Sequence, residues 1–267
     1  MRWRNFKSGQ PHTVVGTLLV SEPLASAQLG NARELFVWLP NGYEREPQKR
    51  YPVLYMHDGN NLFDAYTSFA GEWRVDETLT VLEDEGIEAI VVGIPNNEQR
   101  MSEYSPFADA RLKLAAGRAE DYLQWIVNDV KPLIDGAFRT RPERDHTGIV
   151  GSSMGGLVSL YGFLRHPQTF GVVGALSPSH WFGHGQMLKM VTETPFVGGR
   201  VYLDIGGREG RFGARYMQGV RRLADAFLQK GYVEGETLCY IEDAQGKHNE
   251  EAWARRLPHA LRFLLKP

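Results

Sequence analysis

The stretch "HTGIVGSSMGGLVSLYGFL", residues 146–164, places two adjacent serines between a short β-like run and an apolar, helix-like run. It fits the pattern G-x-S-x-G in one register, Gly151-Ser152-Ser153-Met154-Gly155, with Ser153 at the centre. A strand, a tight turn and a helix in this order hold a serine hydroxyl clear of the surface, where a base can approach it. The stretch therefore predicts a nucleophile at Ser153, with Ser152 as its polar neighbour.

The glycines of this turn and the start of the following helix favour the same interpretation. Gly151 and Gly155 relieve crowding around a strained serine because they lack a side chain. Free N–H groups at the start of a helix also offer partial positive charge to a developing oxyanion. The alternative is a purely structural turn, in which Gly155 and Gly156 only permit close packing of helix on strand. A catalytic role requires a base and an acid elsewhere in the chain.

On both sides of this stretch, apolar runs suited to buried strands alternate with helix-like segments. The runs are "YPVLYMHD", "IEAIVVGI", "HTGIVGS", "GVVGALS", "RVYLDIG" and "ETLCYIE". Such alternation predicts a mainly parallel central sheet with helices on both faces. Before it, "HTVVGTLLV" and "RELFVWLP" are rich in β-branched residues and predict an antiparallel N-terminal β hairpin. Without a repeat or a linker, residues 1–267 are expected to form a single α/β domain.

The composition argues against several classes of partner. With 30 Lys and Arg against 32 Asp and Glu, the chain lacks the positive field that binding to a phosphate backbone requires. No apolar run approaches the roughly 18 residues of a membrane helix, and "SGQPHTVVG" is not the apolar core of a signal peptide. The single cysteine, Cys239, cannot form an intramolecular disulfide. We therefore expect a cytoplasmic protein without nucleic-acid or membrane partners.

The histidine base is selected by chain order. A G-x-S-x-G turn is typical of α/β-hydrolases, in which the nucleophile is followed by the acid and then by the histidine. This order and the local patterns disfavour seven histidines, namely His12, His57, His146, His166, His180, His184 and His259. His248 remains, in the polar segment "EDAQGKHNEEAW" between the last strand-like run and the last helical pattern. We predict His248 as the base.

Three carboxylates are candidates for the acid that orients this histidine. Asp204 and Glu209 lie in "VYLDIGGREGRFG", and Asp243 lies just before His248. Asp204 falls within the strand pattern, whereas Glu209 follows it on a loop from which a carboxylate can reach the histidine. We therefore favour Glu209, with Asp204 as the main alternative.

Backbone amides are expected to stabilise the oxyanion. One is the amide of Met154, and the other comes from the loop "MHDGNNLFD" that follows the third strand. Gly59 permits a tight turn there, so the Asn60 amide is the candidate, and His57 and Asp58 are expected to shape the loop. No H-x-x-x-H pair and no thiolate pair occur. We therefore expect neither a metal nor a cofactor.

Several of these segments together resemble one family. They are "YPVLYMHDGNNLFD", "VVGIPNNEQRMSEYSP", "GSSMGGLVSLYGFLRHPQTFGVVGALSPSHWF", "VYLDIGGREG" and "KHNEEAWARRLPHALRFLL". In this order they resemble the Putative esterase family of α/β-hydrolases, which includes esterase D, the enterochelin esterases and the antigen 85 mycolyltransferases. The resemblance extends from about residue 35 to the C-terminus. It implies Ser153 as nucleophile, Glu209 as acid, His248 as base and Asn60 as the second oxyanion donor.

The expected activity is that of a serine carboxylesterase, which forms an acyl-enzyme and acts on small or aryl/acyl esters. Trp181 and Tyr104, with Phe182 and Phe107, are candidates for lining the substrate pocket, and core packing is the alternative for each. A thioesterase, an acyltransferase or a siderophore trilactone esterase would use the same groups. A catalytically silent α/β-hydrolase fold that serves as a binding module is the alternative outside enzymes.

Overall fold

The computed structural model of the protein describes residues 1–6, 11–112 and 117–266. Within these ranges, one large sheet contains nine strands. In spatial order they are β1 (Trp3–Asn5), β2 (Thr17–Ser21), β5 (Phe36–Leu39), β7 (Ile90–Ile94), β6 (Val53–His57), β8 (Thr147–Ser152), β9 (Val172–Leu176), β10 (Arg200–Gly206) and β11 (Leu238–Asp243). Strands β3 (Leu24–Ser26) and β4 (Asn31–Arg33) form a small antiparallel hairpin of their own.

The pairing of the strands changes from antiparallel to parallel at β7. Strands β1, β2, β5 and β7 pair in antiparallel fashion, whereas β7, β6, β8, β9, β10 and β11 are parallel. The prediction of a mainly parallel sheet with an antiparallel N-terminal hairpin is confirmed. The two paired strands of that hairpin, β2 and β5, are separated in the chain by the β3–β4 hairpin.

Helices cover both faces of the sheet. They are α1 (Val75–Leu82), α2 (Arg100–Glu103), α3 (Ala119–Trp125), α4 (Lys131–Ala137), α5 (Met154–Arg165), α6 (Gln186–Glu193), α7 (Gly213–Gln229) and α8 (Glu250–Leu264). A π-helical turn, Ile126–Val130, joins α3 to α4 and widens the helix just before Pro132, which lacks an N–H group. None of the helices in the described ranges is long and apolar enough to cross a bilayer.

The two faces of the sheet are buried in two hydrophobic clusters. Along β6, Leu54 and Met56 point into one cluster, and Tyr55 points into the other, because successive side chains of a strand alternate. The first cluster contains side chains of α1 and α8, and the second contains side chains of α3, α5, α6 and α7. All five side chains of β6 are buried, which explains why this run is continuously apolar in the sequence.

Parallel pairing brings the carboxyl ends of β6, β8, β9, β10 and β11 to one edge of the sheet. The segments that follow these strands begin at residues 58, 153, 177, 207 and 244. Each of the predicted site residues after a strand therefore lies at the same edge, where ligands of such sheets bind.

Asp76 connects the N-terminal segment to α1. Its side chain is fully buried in the first turn of the helix, and its carboxylate accepts a hydrogen bond from the Val15 amide (2.7 Å). Burial raises the pKa of Asp76 to about 8; the Val15 hydrogen bond opposes this shift and the neighbouring Glu77 carboxylate adds to it. At neutral pH the folded chain therefore holds a proton that the unfolded chain releases.

Replacing Asp76 with asparagine is expected to increase stability progressively as the pH rises from about 5 to about 8. In this interval the unfolded wild-type chain is ionised at position 76 and the folded chain is not, so wild-type stability falls with pH. The asparagine variant has no such dependence, and the gain near pH 8 is on the order of a few kcal/mol. Urea unfolding at several pH values measures it. A difference that does not change with pH would contradict this account of Asp76.

Candidate active site

Ser153 occupies the turn between β8 and α5 in a strained backbone conformation. Its φ and ψ are 55° and −121°, a region that residues with a side chain rarely adopt. The conformation is held by two backbone hydrogen bonds: the Ser153 amide donates to the Leu176 carbonyl (3.0 Å), and the Ser179 amide donates to the Ser153 carbonyl (2.9 Å). The serine is thus fixed at the apex of the turn, with a half-buried side chain.

Glycines allow this turn to pack directly against the end of β6. A Cβ on Gly151 would lie 2.7 Å from the carbonyl carbon of Gly155 and 2.8 Å from Cδ2 of His57. A Cβ on Gly155 would lie 3.3 Å from Cβ of His57. The structural and the catalytic interpretations of the turn are therefore compatible, because the same close packing holds Ser153 in place.

The three side chains predicted as nucleophile, base and acid form one hydrogen-bonded chain. His248 Nε2 lies 2.9 Å from Ser153 Oγ, and His248 Nδ1 lies 2.7 Å from Glu209 Oε2. With its proton on Nδ1, the imidazole donates to the carboxylate, and Nε2 is free to accept the serine proton. His248 is exposed and Glu209 is buried.

The pairing of β10 with β11 explains why two residues so far apart in sequence meet. Beyond the strands, the Gly207 amide donates to the Asp243 carbonyl and the Arg208 amide donates to the Gly246 carbonyl, both at 2.8 Å. The two loops therefore run side by side as far as Glu209 and His248. The next residue, Asn249, ends this loop and accepts a hydrogen bond from the Ala252 amide as the N-cap of α8.

Glu209 is held as a carboxylate. Burial by itself raises the pKa of Glu209, but hydrogen bonds from His248 and Ser177 outweigh this effect and lower the pKa below its ordinary value. Its Oε1 accepts from the Ser177 hydroxyl (2.5 Å) and from the Gly206 amide (2.8 Å). The negative charge beside the imidazole is therefore maintained at neutral pH.

The other two carboxylates considered from the sequence contact arginines instead of His248. Asp204 is fully buried and accepts two hydrogen bonds from Arg256, at 2.9 and 3.1 Å. Asp243 accepts a hydrogen bond from Arg255 (2.5 Å). The geometry therefore favours Glu209 among the three as the partner of the histidine.

A group of residues that the sequence did not reveal supports Glu209 from behind. The Ser177 hydroxyl, which donates to Glu209, accepts hydrogen bonds from Trp253 Nε1 (3.0 Å) and Arg256 Nη2 (2.8 Å). The Trp253 ring also packs edge-on against His248, with ring centroids 5.1 Å apart. Trp253 and Arg256 lie three residues apart on one face of α8. In the sequence, only this spacing could have suggested that the two residues act together, but the same spacing occurs in any amphipathic helix.

The segment after β6 turns tightly against β7. A Cβ on Gly59 would lie only 2.7 Å from the carbonyl carbon of Gly93. Asp58 has a positive φ of 56° and is held by two hydrogen bonds from Arg100, at 2.6 and 2.8 Å. The side chain of Asn60 is also held in place, because its oxygen accepts a hydrogen bond from the Asn96 amide (3.0 Å). The use of the Asn60 and Met154 amides as oxyanion donors stays a prediction.

His57 has the environment of a structural residue. Its Nδ1 lies 2.8 Å from the Tyr122 hydroxyl, and its ring lies against the turn that holds Ser153. Burial lowers the pKa of His57 to about 3, so the imidazole is neutral at physiological pH. This agrees with the expectation that His57 shapes the loop.

A cavity of about 310 Å³ opens at Ser153. Trp181 lines it, together with His180, Tyr216 and His248. Ser179, which the sequence did not single out, also lines it, and its Oγ lies 3.3 Å from Ser153 Oγ.

The expectation that Tyr104 lines the substrate pocket is wrong. Its side chain is completely buried, its hydroxyl accepts a hydrogen bond from the Asp58 amide (3.2 Å), and its ring packs against His57 and Tyr122. Phe182 is also completely buried. An aromatic residue after a strand has the same local sequence pattern whether it is buried in the core or lines a pocket. Only tertiary packing distinguishes these two environments.

Among the described residues, one group of carboxylates is spaced closely enough to hold a metal ion. It consists of Glu72, Asp76 and Glu77 at the start of α1, and it includes none of the residues around Ser153. The expectation that the reaction needs neither metal nor cofactor stays a prediction.

Comparison with known proteins gives the family. The sequence matches the model of the family described as "Putative esterase" over residues 26–264. The chain belongs to this family. The resemblance inferred from the sequence motifs is thereby confirmed, and the protein is an ester hydrolase.

Some relatives of this esterase align with most of its chain, and others align with about half of it. It is 26% identical over 249 residues to the uncharacterized protein YbbA of Bacillus subtilis, covering 90% of this chain and 95% of YbbA. It is 31% identical over 152 residues to the ferri-bacillibactin esterase BesA of the same organism, covering 51% of this chain and 50% of BesA. An IroE-like serine hydrolase from Shewanella oneidensis has the same fold, with a TM-score of 0.73 at 22% identity, over 92% of this chain and 79% of the other.

Proposed function

We propose that this esterase is a serine carboxylester hydrolase whose catalytic triad is Ser153, His248 and Glu209. The single observation that carries the proposal is the continuous hydrogen-bonded chain between these side chains, with distances of 2.9 and 2.7 Å. His248 accepts the proton of Ser153 as Oγ attacks the ester carbonyl, and Glu209 stabilises the imidazolium that forms. The alcohol then leaves with the proton from His248, and an acyl-enzyme remains.

Hydrolysis of the acyl-enzyme repeats these steps with water as the nucleophile. His248 takes a proton from the water, which attacks the acyl carbonyl, and Ser153 leaves with that proton. In both halves the amides of Met154 and Asn60 donate to the oxyanion, and each such donor contributes on the order of 3 kcal/mol in comparable enzymes. The position of Met154 at the start of α5 supports this role, because its N–H belongs to the first turn of the helix.

The substrates that we propose are small or aryl/acyl esters. The cavity at Ser153, of about 310 Å³, is at the lower end of the size range of small-molecule sites. A second candidate is a siderophore ester, since BesA, which aligns with half of this chain, is described as a ferri-bacillibactin esterase. Hydrolysis of thioesters and transfer of the acyl group to another alcohol would use the same residues.

Covalent labelling with a fluorophosphonate tests the proposal. The folded protein is expected to become labelled at a single site, and mass spectrometry of the digested protein should place the label on Ser153, because among the described residues only this hydroxyl is hydrogen-bonded to His248 Nε2. Ser152→Ala should be labelled like the wild type, since Ser152 is buried in β8. Unlabelled folded protein, or a label on Ser179, would contradict the proposal, and the first result would favour a silent binding module.

A further inference from the structure

A second and larger cavity adjoins the one at Ser153. Its volume is about 550 Å³, and it shares His180, Trp181 and Tyr216 with the first cavity. A molecule that places an ester at Ser153 and extends past these three side chains enters this second cavity. The residues that line it are therefore within reach of a part of such a molecule that does not react.

The lining of the second cavity is strongly basic. The basic residues are three arginines and two histidines: Arg111, Arg215, Arg222, His180 and His184. Of the residues in the described part of the chain that line it, none is an aspartate or a glutamate. A concave surface that carries charge of one sign concentrates the field and attracts ligands of the opposite sign.

Two of these arginines project from one face of α7. Arg215 and Arg222 are seven residues apart, with Gly219 between them on the same face. A Cβ on Gly219 would lie 1.8 Å from Nε2 of His180, so the imidazole occupies the gap that the glycine leaves. The arginine side chains therefore stand on either side of the His180 ring and line the cavity.

The charges of Arg215 and Arg222 are not neutralised by a carboxylate. Within the ranges that the structure describes, neither guanidinium makes an ion pair or a hydrogen bond. The charge of Arg215 also acts on His180: burial lowers the pKa of this histidine, and the nearby guanidinium lowers it further. The neighbouring Arg221 provides a contrast, because it is paired with Glu242 at 2.8 and 2.9 Å.

Arg111 is differently placed, at the passage between the two cavities. Asp109 fixes its guanidinium with two hydrogen bonds, at 2.9 and 2.5 Å, and Arg111 Nη2 donates to the Trp181 carbonyl (3.2 Å). The guanidinium lies 5.8 Å from the centre of the Trp181 ring. Asp109 therefore orients this cation beside a residue that lines both cavities.

We propose that this basic cavity binds an anionic group of the ester substrate, such as a carboxylate or a phosphate, while the ester lies at Ser153. Arg215 and Arg222 supply the unpaired charge, and guanidinium groups suit such anions because they offer parallel N–H donors. The inference rests on the proposed function and names a substrate class for it: esters that carry a negative charge on the acyl or the alcohol side.

Two matched pairs of esters test the inference by kinetics. On the acyl side, the 4-nitrophenyl monoester of adipic acid is compared with 4-nitrophenyl hexanoate. On the alcohol side, 3-carboxyphenyl butyrate is compared with its neutral carboxamide analogue. In the variant that combines Arg215→Gln with Arg222→Gln, KM is expected to rise about tenfold or more for the anionic member of one pair, because hydrogen bonds between two charged groups are stronger than those between neutral groups. The neutral members should change by less than about twofold.

The controls separate local binding from net charge and from folding. Arg221→Gln removes a positive charge from the same helix, but its side chain is paired with Glu242, so KM for the anionic ester should be unchanged. Combining Arg215→Lys with Arg222→Lys should restore a large part of the lost affinity. A loss in the glutamine variant that is equal for charged and neutral esters, or no loss at all, would overturn the inference and leave the proposed function intact.

A binding measurement makes the test independent of turnover. Calorimetry with adipate and with its neutral diamide, adipamide, on the wild type and on the glutamine variant, should show tighter binding of adipate that depends on both arginines and weakens at high salt. If no ester is cleaved but adipate binding still depends on the arginines, the proposed function fails and the anionic site stands. If adipate and adipamide bind alike, the anionic site is refuted.

Discussion

Replacing Ser153 with alanine is expected to lower kcat/KM for 4-nitrophenyl butyrate by a factor on the order of 10⁴ or more. The variant has no hydroxyl beside His248 Nε2, so neither general-base activation nor an acyl-enzyme is possible. In the proposed mechanism, the remaining rate comes from binding and from the amides of Met154 and Asn60 alone. Initial rates followed by release of 4-nitrophenol, over several substrate concentrations, measure the change.

Stability and neighbouring serines provide the controls for this variant. The thermal unfolding temperature should change little, because alanine replaces a half-buried serine and the backbone hydrogen bonds of the turn are retained. Ser152→Ala should keep nearly full activity. A Ser153→Ala enzyme within about tenfold of the wild type would show that another nucleophile acts, and Ser179, whose Oγ is 3.3 Å from that of Ser153, would be examined first.

Glu209→Gln is expected to lower kcat by a factor on the order of 10³–10⁴ with little change in KM. The substitution keeps the shape of the side chain but removes the charge that stabilises the imidazolium of His248 and fixes its tautomer. The substrate does not contact this carboxylate in the proposed mechanism, so the loss should fall on kcat. Steady-state kinetics of the purified variant, with the unfolding temperature as a check on folding, separate the two parameters.

Asp204→Asn is the matched comparison, and its effect should fall on stability. Asp204 is buried and neutralises Arg256, so removing its charge leaves a buried guanidinium without its main partner. Breaking one side of such a pair costs roughly 3–5 kcal/mol. Its kcat should decrease far less than that of Glu209→Gln. If Asp204→Asn proves to be the slower enzyme while remaining folded, the assignment of the acid must be reversed.

Local sequence was sufficient for the main features of the fold and for the residues proposed as the triad. Alternation of apolar runs with helical segments follows directly from burial of a parallel sheet on both faces, so the pattern predicted the sheet. The turn at Ser153 has a local signature because Gly151 is required by contacts at 2.7–2.8 Å, which no side chain tolerates. Chain order then led to His248, and position on a loop favoured Glu209; the structure places these two side chains within hydrogen-bonding distance of each other.

The surroundings of these residues depend on contacts between distant parts of the chain, and there the sequence was insufficient. Tyr104 is an aromatic residue beyond a strand, as Trp181 is, but one is completely buried and the other lines the cavity. The support of Glu209 by Ser177 and Arg256 joins positions 32 and 47 residues away from it, and neither segment has a pattern of its own.

The sequence by itself determined the class of the fold, the turn that holds Ser153 and the order of the proposed triad, because each depends on periodicity or on residues close together in the chain. Tertiary structure alone decided that Asp204 and Asp243 are paired with arginines, which aromatic side chains line the cavity, and where unpaired arginines collect. These features depend on which loops the parallel strands bring to the same edge of the sheet, and on which charges find partners there.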